Sequence, residues 1–174
     1  MTYEQNVSTL ATRTADAIEG LWTRHREGQL SLDEFKQSTS LLLTAARAKG
    51  VAVSELTLAG YLQEALGFVP AFAGLPVVDV TPRLEKALTT ITTSDLDTVM
   101  QLRRLGESEV LEAAANGFSE AIRLNPRVTG YTRGLEADHC ELCMWLYKDG
   151  YVYPADKPMN THKGCKCHPV PVTN

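Results

Sequence analysis

The residues best suited to chemistry in this chain are four cysteines and a histidine near its C-terminal end. Cys140 and Cys143 form a CxxC pair, and His162, Cys165 and Cys167 follow as HxxCxC. A CxxC turn presents two thiolates on one side of a tight loop, and the spacer is long enough for the chain to return and complete a tetrahedral ligand set. The pattern therefore predicts a structural zinc ion bound by four of these five residues.

The choice of the four ligands stays open at the level of sequence. The two CxxC cysteines and Cys165 are the ligands we assign first, and the fourth is His162 or Cys167. The remaining residue would be spare or would support the ligands from outside the coordination shell. The neighbouring histidines, His139 and His168, are expected to point away from the ion.

Two alternatives to a metal site are reduced core cysteines and two disulfides in a protein that reaches an oxidising medium. The start of the chain, MTYEQNVSTL, has neither the basic residues nor the apolar run of a signal peptide, which favours a reducing compartment. Clustered cysteines in such a compartment are more often metal ligands than disulfide partners. A thiolate-rich set that can fill all four positions is typical of a closed structural site, because a catalytic zinc keeps one position open.

Sequence patterns typical of catalysis are missing. No GxSxG, P-loop, GxGxxG or HExxH motif occurs. His139–Cys140 and Cys167–His168 are neighbours in the sequence, which does not make either pair a catalytic dyad. We therefore predict no catalytic residues, no organic cofactor and no enzymatic activity. The aromatic residues between the ligands are expected to form the small core of a metal-bound hairpin, the alternative being a platform for nucleic-acid bases. They are Trp145, Tyr147, Tyr151 and Tyr153.

Composition places the chain among globular proteins. Of its 174 residues 44% are hydrophobic and 22% are charged, and its formal net charge is −4. Nucleic-acid-binding surfaces gain affinity from clustered Lys and Arg, so this acidic balance argues against such a role. No stretch approaches the roughly 18 consecutive apolar residues of a membrane-spanning helix. We expect neither membrane insertion nor sequence-specific nucleic-acid binding.

Residues 1–125 must supply the body that positions the cysteines, and their apolar periodicity is helical. Ser31 and Glu34 form a capping box, Gly50 is a predicted helix end and Ser54 a predicted cap. Together with the apolar stripes, these signals predict three successive helices over residues 3–27, 31–50 and 55–66.

The apolar segment GFVPAFAGLPVVDVTP, residues 67–82, interrupts the helical pattern. It predicts an irregular connection, with a short strand at 77–80, that either packs over the helical core or docks against a partner protein. Helices resume at Pro82 and again at Ser94, and the Asn125-Pro126 pair ends the last one.

The pattern changes again after residue 125. RVTGYTRGL alternates as a short strand does, GYVYPA is strand-like, and HPVPVTN is an extended tail. We therefore predict a mainly α fold with two parts. Residues 1–125 form a body that resembles a helical bundle. Residues 126–174 form a small α+β knob stabilised by zinc, in which a zinc-binding hairpin region is followed by the extended tail.

These C-terminal motifs resemble those of a known family. The order RVTGYTRGL, CELCMWL, DGYVYP and HKGCKCHPVPV is similar to that in phage head-morphogenesis proteins, the MuF-like minor capsid proteins, including those of actinobacterial phages. Each of the five candidate ligands stands at a motif position. A looser similarity, through the helix that ends in EAIRLNPRVTGY, extends over most of the chain.

The resemblance implies a structural minor capsid or head-morphogenesis protein of a tailed phage. Such a protein is made in the host bacterial cytoplasm and packaged in the capsid interior or at the portal vertex. The implied partners are the portal protein, the major capsid protein or both, and the implied roles are head assembly and DNA delivery. A homo-oligomer is compatible with this reading. A nucleic-acid-binding zinc module and a capsid maturation protease are the alternatives, although the sequence shows no protease constellation.

Overall fold

In the computed structural model, described for residues 2–67, 69, 71–135 and 139–174, five α-helices precede or flank a three-stranded sheet. Phe68 and Pro70 of the predicted connection lie outside the described residues. The elements in chain order are α1 (Tyr3–Arg26), α2 (Leu32–Leu66), α3 (Thr81–Thr92), α4 (Thr98–Leu124), β1 (Val128–Gly134), α5 (Glu141–Tyr147), a 3-10 turn (Lys148–Gly150), β2 (Tyr153–Pro154) and β3 (His168–Thr173). The predicted fold class, mainly α with a small α+β C-terminal part, is confirmed.

The second helix is continuous where the sequence predicted two helices. α2 has 35 residues, begins with the predicted capping box and runs through both Gly50 and Ser54. Gly50 lies against α4, where an added Cβ would stand 3.2 Å from the Val110 carbonyl oxygen. The Ser54 hydroxyl donates across the same interface to the Ala114 carbonyl at 2.7 Å. The two small residues therefore serve close packing of α2 on α4, and the predicted break between them is wrong.

The boundaries of α3 and α4 follow the sequence signals closely. α3 has its proline in the first turn, as predicted. α4 begins four residues later than predicted, because the side chain of Asp97 rather than that of Ser94 accepts from the first turn, at the Met100 N–H. It ends at Leu124, directly before the Asn-Pro pair. None of the helices in these described ranges has the length and apolarity needed to cross a bilayer.

The connection between α2 and α3 is irregular, and the predicted strand at 77–80 does not form. The Glu55 carboxylate accepts from the backbone N–H groups of Gly74 and Leu75 at 3.0 and 3.3 Å, which fastens the connection to α2. Leu75 packs against the core, whereas Phe72 and Val78 are more than half exposed. Only part of this apolar segment is therefore covered by the chain's own helices.

One apolar core joins the helices to the C-terminal sheet. The largest side chains in it come from α1, α2, α4, β1, β2 and the segment after β2: Tyr3, Val7, Leu58, Leu62, Val110, Leu111, Phe118, Ile122, Val128, Tyr131, Tyr153 and Met159. A second cluster fills the opposite part of the helical body with Ile18, Phe35, Leu43, Leu84, Leu88, Ile91 and Leu102. The C-terminal region thus rests on the helices through shared packing.

A buried carboxylate links three of the helices. Glu109 of α4 is almost fully buried, and its Oε2 accepts from Arg47 of α2 at 2.6 Å and from Arg83 of α3 at 2.7 Å. Removing one partner of such a buried pair leaves a charge without compensation and typically costs about 3–5 kcal/mol. This ion pair fixes the relative positions of α2, α3 and α4.

The predicted extended tail is the third strand of the sheet. The strand order is β2-β1-β3, and both outer strands run antiparallel to β1. Proline has no N–H, so within β3 only His168, Val170, Val172 and Thr173 have a backbone N–H to donate. Pro169 and Pro171 leave the outer edge of β3 without donors at their positions, which discourages addition of a further strand.

Close contact between α1 and α4 generates a stability prediction at Gly106. A Cβ there would stand 2.9 Å from Ile18 Cδ1 and 3.1 Å from Ala15 Cα. We expect Gly106→Val to lower the free energy of unfolding by about 1–3 kcal/mol, because overpacking pushes the two helices apart. Urea denaturation followed by circular dichroism measures it. Gly60→Val is the matched control, since that site in α2 is open; equal stability of the two variants would contradict the packing described.

Candidate metal centre

The first two candidate ligands are placed by the start of α5. Cys140 is the N-cap residue of this helix and Cys143 lies one turn further on. A single helical turn brings residues three apart to the same side, and the two Sγ atoms are 3.7 Å apart. The CxxC pair therefore forms one side of the site, with the Cys140 sulfur exposed and the Cys143 sulfur buried.

A tight turn and the start of β3 place the other three candidates. The Cys165 N–H donates to the His162 carbonyl at 3.0 Å, and Gly164 between them has φ +79°, which glycine adopts without strain. Cys167 immediately precedes His168, the first residue of β3, so pairing of β3 with β1 fixes its position. The segment 162–167 thus converges on α5.

The five predicted residues meet in two groups that share Cys143. Its Sγ lies 3.7 Å from Cys165 Sγ and 3.3 Å from His162 Nε2, and Cys140 Sγ lies 3.2 Å from that same nitrogen. The groups that could hold a metal ion are Cys140, Cys143 and His162 on one side and Cys143, Cys165 and Cys167 on the other. Every residue predicted from the sequence is therefore in the cluster.

The spacing around Cys143 suits a tetrahedral ion, whereas the two groups are not close enough together for four of these ligand atoms to lie within 4.8 Å of one another. With Zn–S and Zn–N bonds of about 2.3 and 2.05 Å, the edges of a tetrahedron are about 3.8 Å between sulfurs and about 3.6 Å between sulfur and nitrogen. The two sulfur separations of 3.7 Å meet this requirement, and the nitrogen separations of 3.2 and 3.3 Å need only a small outward shift of the imidazole. The cysteines are free thiols, and the sulfur separations of 3.7 Å are far longer than the roughly 2.05 Å of a disulfide bond.

His162 is oriented for binding through Nε2. Its Nδ1 lies 3.0 Å from the Lys163 carbonyl oxygen, a group that can only accept. Nδ1 must therefore carry the proton, which leaves the Nε2 lone pair directed at the sulfurs. Backbone hydrogen bonds of this kind accompany most metal-binding histidines. The same bond raises the pKa of His162 above its ordinary value.

The thiols differ in acidity because their surroundings differ. A hydrogen bond from the Cys167 side chain, opposed in part by burial, lowers the pKa of Cys165 to about 4. Burial raises the pKa of Cys143 to about 11. Negative charge in the cluster therefore rests first on Cys165, which accepts from its neighbours. A divalent ion would draw the other ligand thiols into the thiolate form, since metal binding releases protons.

Arg133 is a member of this site that the sequence analysis missed. It lies on β1, is 3% exposed, and its Nη1 is 3.8 Å from Cys165 Sγ and 4.0 Å from Cys143 Sγ. Its Nη2 donates to the Asn160 backbone carbonyl. The signal lay in the strand alternation, because Tyr131, two residues earlier, points to the same face and is buried as well.

The residues flanking the ligands have other contacts. His168 points away from the cluster, as predicted, and lies against α1: its ring packs on Tyr3, and its Nδ1 lies 2.9 Å from a Glu4 carboxylate oxygen. Burial lowers the pKa of His168, although Glu4 opposes the shift. Gly134 accommodates the ring, since a Cβ there would stand 2.7 Å from it. His168 therefore ties β3 to the first helix.

The aromatic residues of the spacer only partly form the expected core. Tyr153 is buried, stacks on Tyr131 and donates its hydroxyl to the Leu146 carbonyl. In contrast, Trp145 is 81% exposed and Tyr151 52% exposed. The prediction of a compact aromatic hairpin core is wrong for these two residues: Trp145 lies on α5, which buries only Cys143, and Tyr151 lies before β2, where Tyr153 is the buried residue.

A cavity of about 280 Å³ borders the cluster. His162 and Cys165 line one side of it, and Ser108, Glu112 and Asn116 of α4 line the other.

Comparison with known proteins yields one family. The family model described as VG15 protein matches residues 1–174, the whole length of the chain. No curated protein and no solved structure matches.

The shared position of Cys143 gives the prediction for this site. We expect about one zinc ion per chain in protein purified without added metal, and loss of that zinc in Cys143→Ser, because both ligand groups contain this sulfur. The C-terminal region should unfold with the loss of metal, since metal binding there is coupled to folding. Elemental analysis and circular dichroism measure the two effects.

His139→Ala is the control, because His139 is adjacent to the CxxC pair but belongs to neither group. It should retain the zinc. Folded, reduced wild-type protein without metal would contradict the assignment.

Proposed function

Because the chain belongs to the VG15 family, a family of phage gene products, we propose that it is a structural minor capsid or head-morphogenesis protein of a tailed phage. The family match over residues 1–174 is the observation that carries this proposal. The order of the C-terminal motifs supports the finer assignment to the MuF-like proteins of actinobacterial phages. The protein would then reside in the capsid interior or at the portal vertex and act in head assembly or DNA delivery.

The proposed role of the metal is structural. Five ligand-type residues converge, one more than a tetrahedral ion needs, so the protein can fill all four positions without water or substrate. The proposed ligands are the CxxC pair, His162 and Cys165, with zinc as the ion. Cys167 would hydrogen bond to the Cys165 sulfur rather than coordinate the metal. On this proposal the centre holds α5 and β3 together and performs no catalysis.

The proposed partner is the phage portal protein, with the major capsid protein as the second candidate. Support comes from the irregular connection, where Val69, Phe72 and Val78 are each more than half exposed. The backbone N–H groups of Gly74 and Leu75 donate to Glu55, and these bonds reduce the ordering entropy that the segment would lose on docking. β3 does not enter this proposal, since it is already paired with β1.

Two variants test the ligand set. His162→Ala should abolish stoichiometric zinc binding, because it removes a ligand. Cys167→Ser should keep one zinc per chain with an affinity lower by about 10–100-fold, the usual effect of losing an outer partner. Competition with a chromophoric chelator gives the affinities. If zinc binding survives His162→Ala but not Cys167→Ser, the fourth ligand is Cys167 and not His162.

A co-expression experiment tests the partner. Portal and major capsid proteins of the same phage are co-expressed with the tagged chain. The amount of each protein captured with the tagged chain is measured by quantitative mass spectrometry. Phe72→Asp should reduce capture of portal protein by about tenfold, the effect of losing one central apolar anchor. The control is Leu41→Asp, a 66% exposed position on α2.

A wild-type chain that is absent from assembled particles would contradict the assembly role. Binding of duplex DNA in a mobility-shift assay, without capture of either protein, would favour the nucleic-acid-binding alternative.

A further inference from the structure

Arg133 is a buried cation placed directly against the cysteine cluster. Only 3% of it is exposed, although a guanidinium stays charged at any pH a protein experiences. Among residues 2–67, 69, 71–135 and 139–174 it makes no ion pair with a carboxylate. Its nearest polar atoms in these ranges are Cys143 Sγ, Cys165 Sγ and the Asn160 carbonyl oxygen. A buried charge needs compensation, and the sulfurs are the groups that can supply it.

The charge of the proposed metal centre matches this cation. A divalent ion bound by three thiolates and a neutral imidazole carries a net charge of −1, and four thiolates would give −2. Either total is costly in a site where Cys143 and Cys165 are nearly fully buried. One guanidinium beside the two sulfurs offsets one negative charge. N–H donors of Arg also bind anionic acceptors more strongly than neutral ones.

The geometry of Arg133 also joins the two ligand segments. Nη1 faces both Cys143, on α5, and Cys165, on the returning loop. Nη2 binds the Asn160 carbonyl, two residues before His162. Since β1 pairs with β3 on one side and β2 on the other, the guanidinium is fixed to the centre of the sheet. It can therefore hold both segments near their final spacing.

We propose that Arg133 is a positioning residue for the metal centre, which neutralises the thiolates of Cys143 and Cys165 and fixes the distance between them. This inference rests on the proposed metal site. Lysine would supply the charge but not the planar fork, because its ammonium is a point donor. Glutamine would supply a donor without the charge.

Zinc affinity and cobalt spectra test the inference at one fixed pH. Arg133→Gln should lower zinc affinity by about 10–100-fold, as loss of an outer-shell partner typically does, and Arg133→Lys should fall between this variant and the wild type. The charge-transfer bands of the Co²⁺-loaded protein should move to lower energy in Arg133→Gln, since sulfurs that have lost the positive charge of the guanidinium give up electrons more easily. Arg127→Gln, an exposed arginine just before β1, should leave both readouts unchanged.

The results distinguish a failure of the role of Arg133 from a failure of the metal site itself. If Arg133→Gln does not fold, Arg133→Lys keeps the charge and provides the same two readouts. A wild type that binds zinc, with Arg133 variants that bind equally well and show unshifted bands, overturns the role of Arg133 alone. A wild type that binds no metal overturns the metal site and this inference together.

Discussion

The burial of the Cys143 sulfur between Cys140, His162 and Cys165 is the constraint on which the C-terminal region of this protein, residues 126–174, depends. α5 has only seven residues and, apart from Cys143, buries none of them. A helix this short is not stable by itself in water. Its position is therefore set by what the cysteines contact, and those contacts come from the segment that leads into β3.

The same cluster lies at the junction between the sheet and the helical body. Directly after Cys167, the ring of His168 packs on Tyr3, and Tyr131 and Tyr153 enter the main core beside Phe118. The small sheet thus has packing on the helices as well as the cluster at its end. An ion at the cluster would fix the orientation of a region that already rests on the core, much as a staple supports a domain with little apolar area of its own.

Local signals in the sequence were sufficient where one residue or one short motif decides the structure. The capping box at the start of α2, the first-turn proline of α3 and the Asn-Pro end of α4 were predicted correctly. The convergence of all five metal-ligand candidates was also predicted, because CxxC and HxxCxC have few other uses together. The helix signals depend on chemistry within a few residues, and the metal-ligand signal depends on two short motifs with recognisable spacing.

The misses arose where a distant segment decides the role of a residue. Gly50 and Ser54 have the chemistry of a helix end and cap, but α4 uses them as a close-packing surface. The buried partners of Arg47 and Arg133 lie 62 and 32 residues away along the chain. β3 was predicted as an extended tail, and nothing near it in the sequence indicates that β1 is its partner. Tertiary contacts of this kind override local preference.

X-ray absorption at the zinc edge of the purified protein tests the central claim most directly, because it reports the atoms bound to the metal. The account predicts a first shell of three sulfurs at about 2.3 Å and one imidazole nitrogen at about 2.05 Å, with no bound water. A shell dominated by oxygen, or a sample that contains no zinc while folded and reduced, would contradict it.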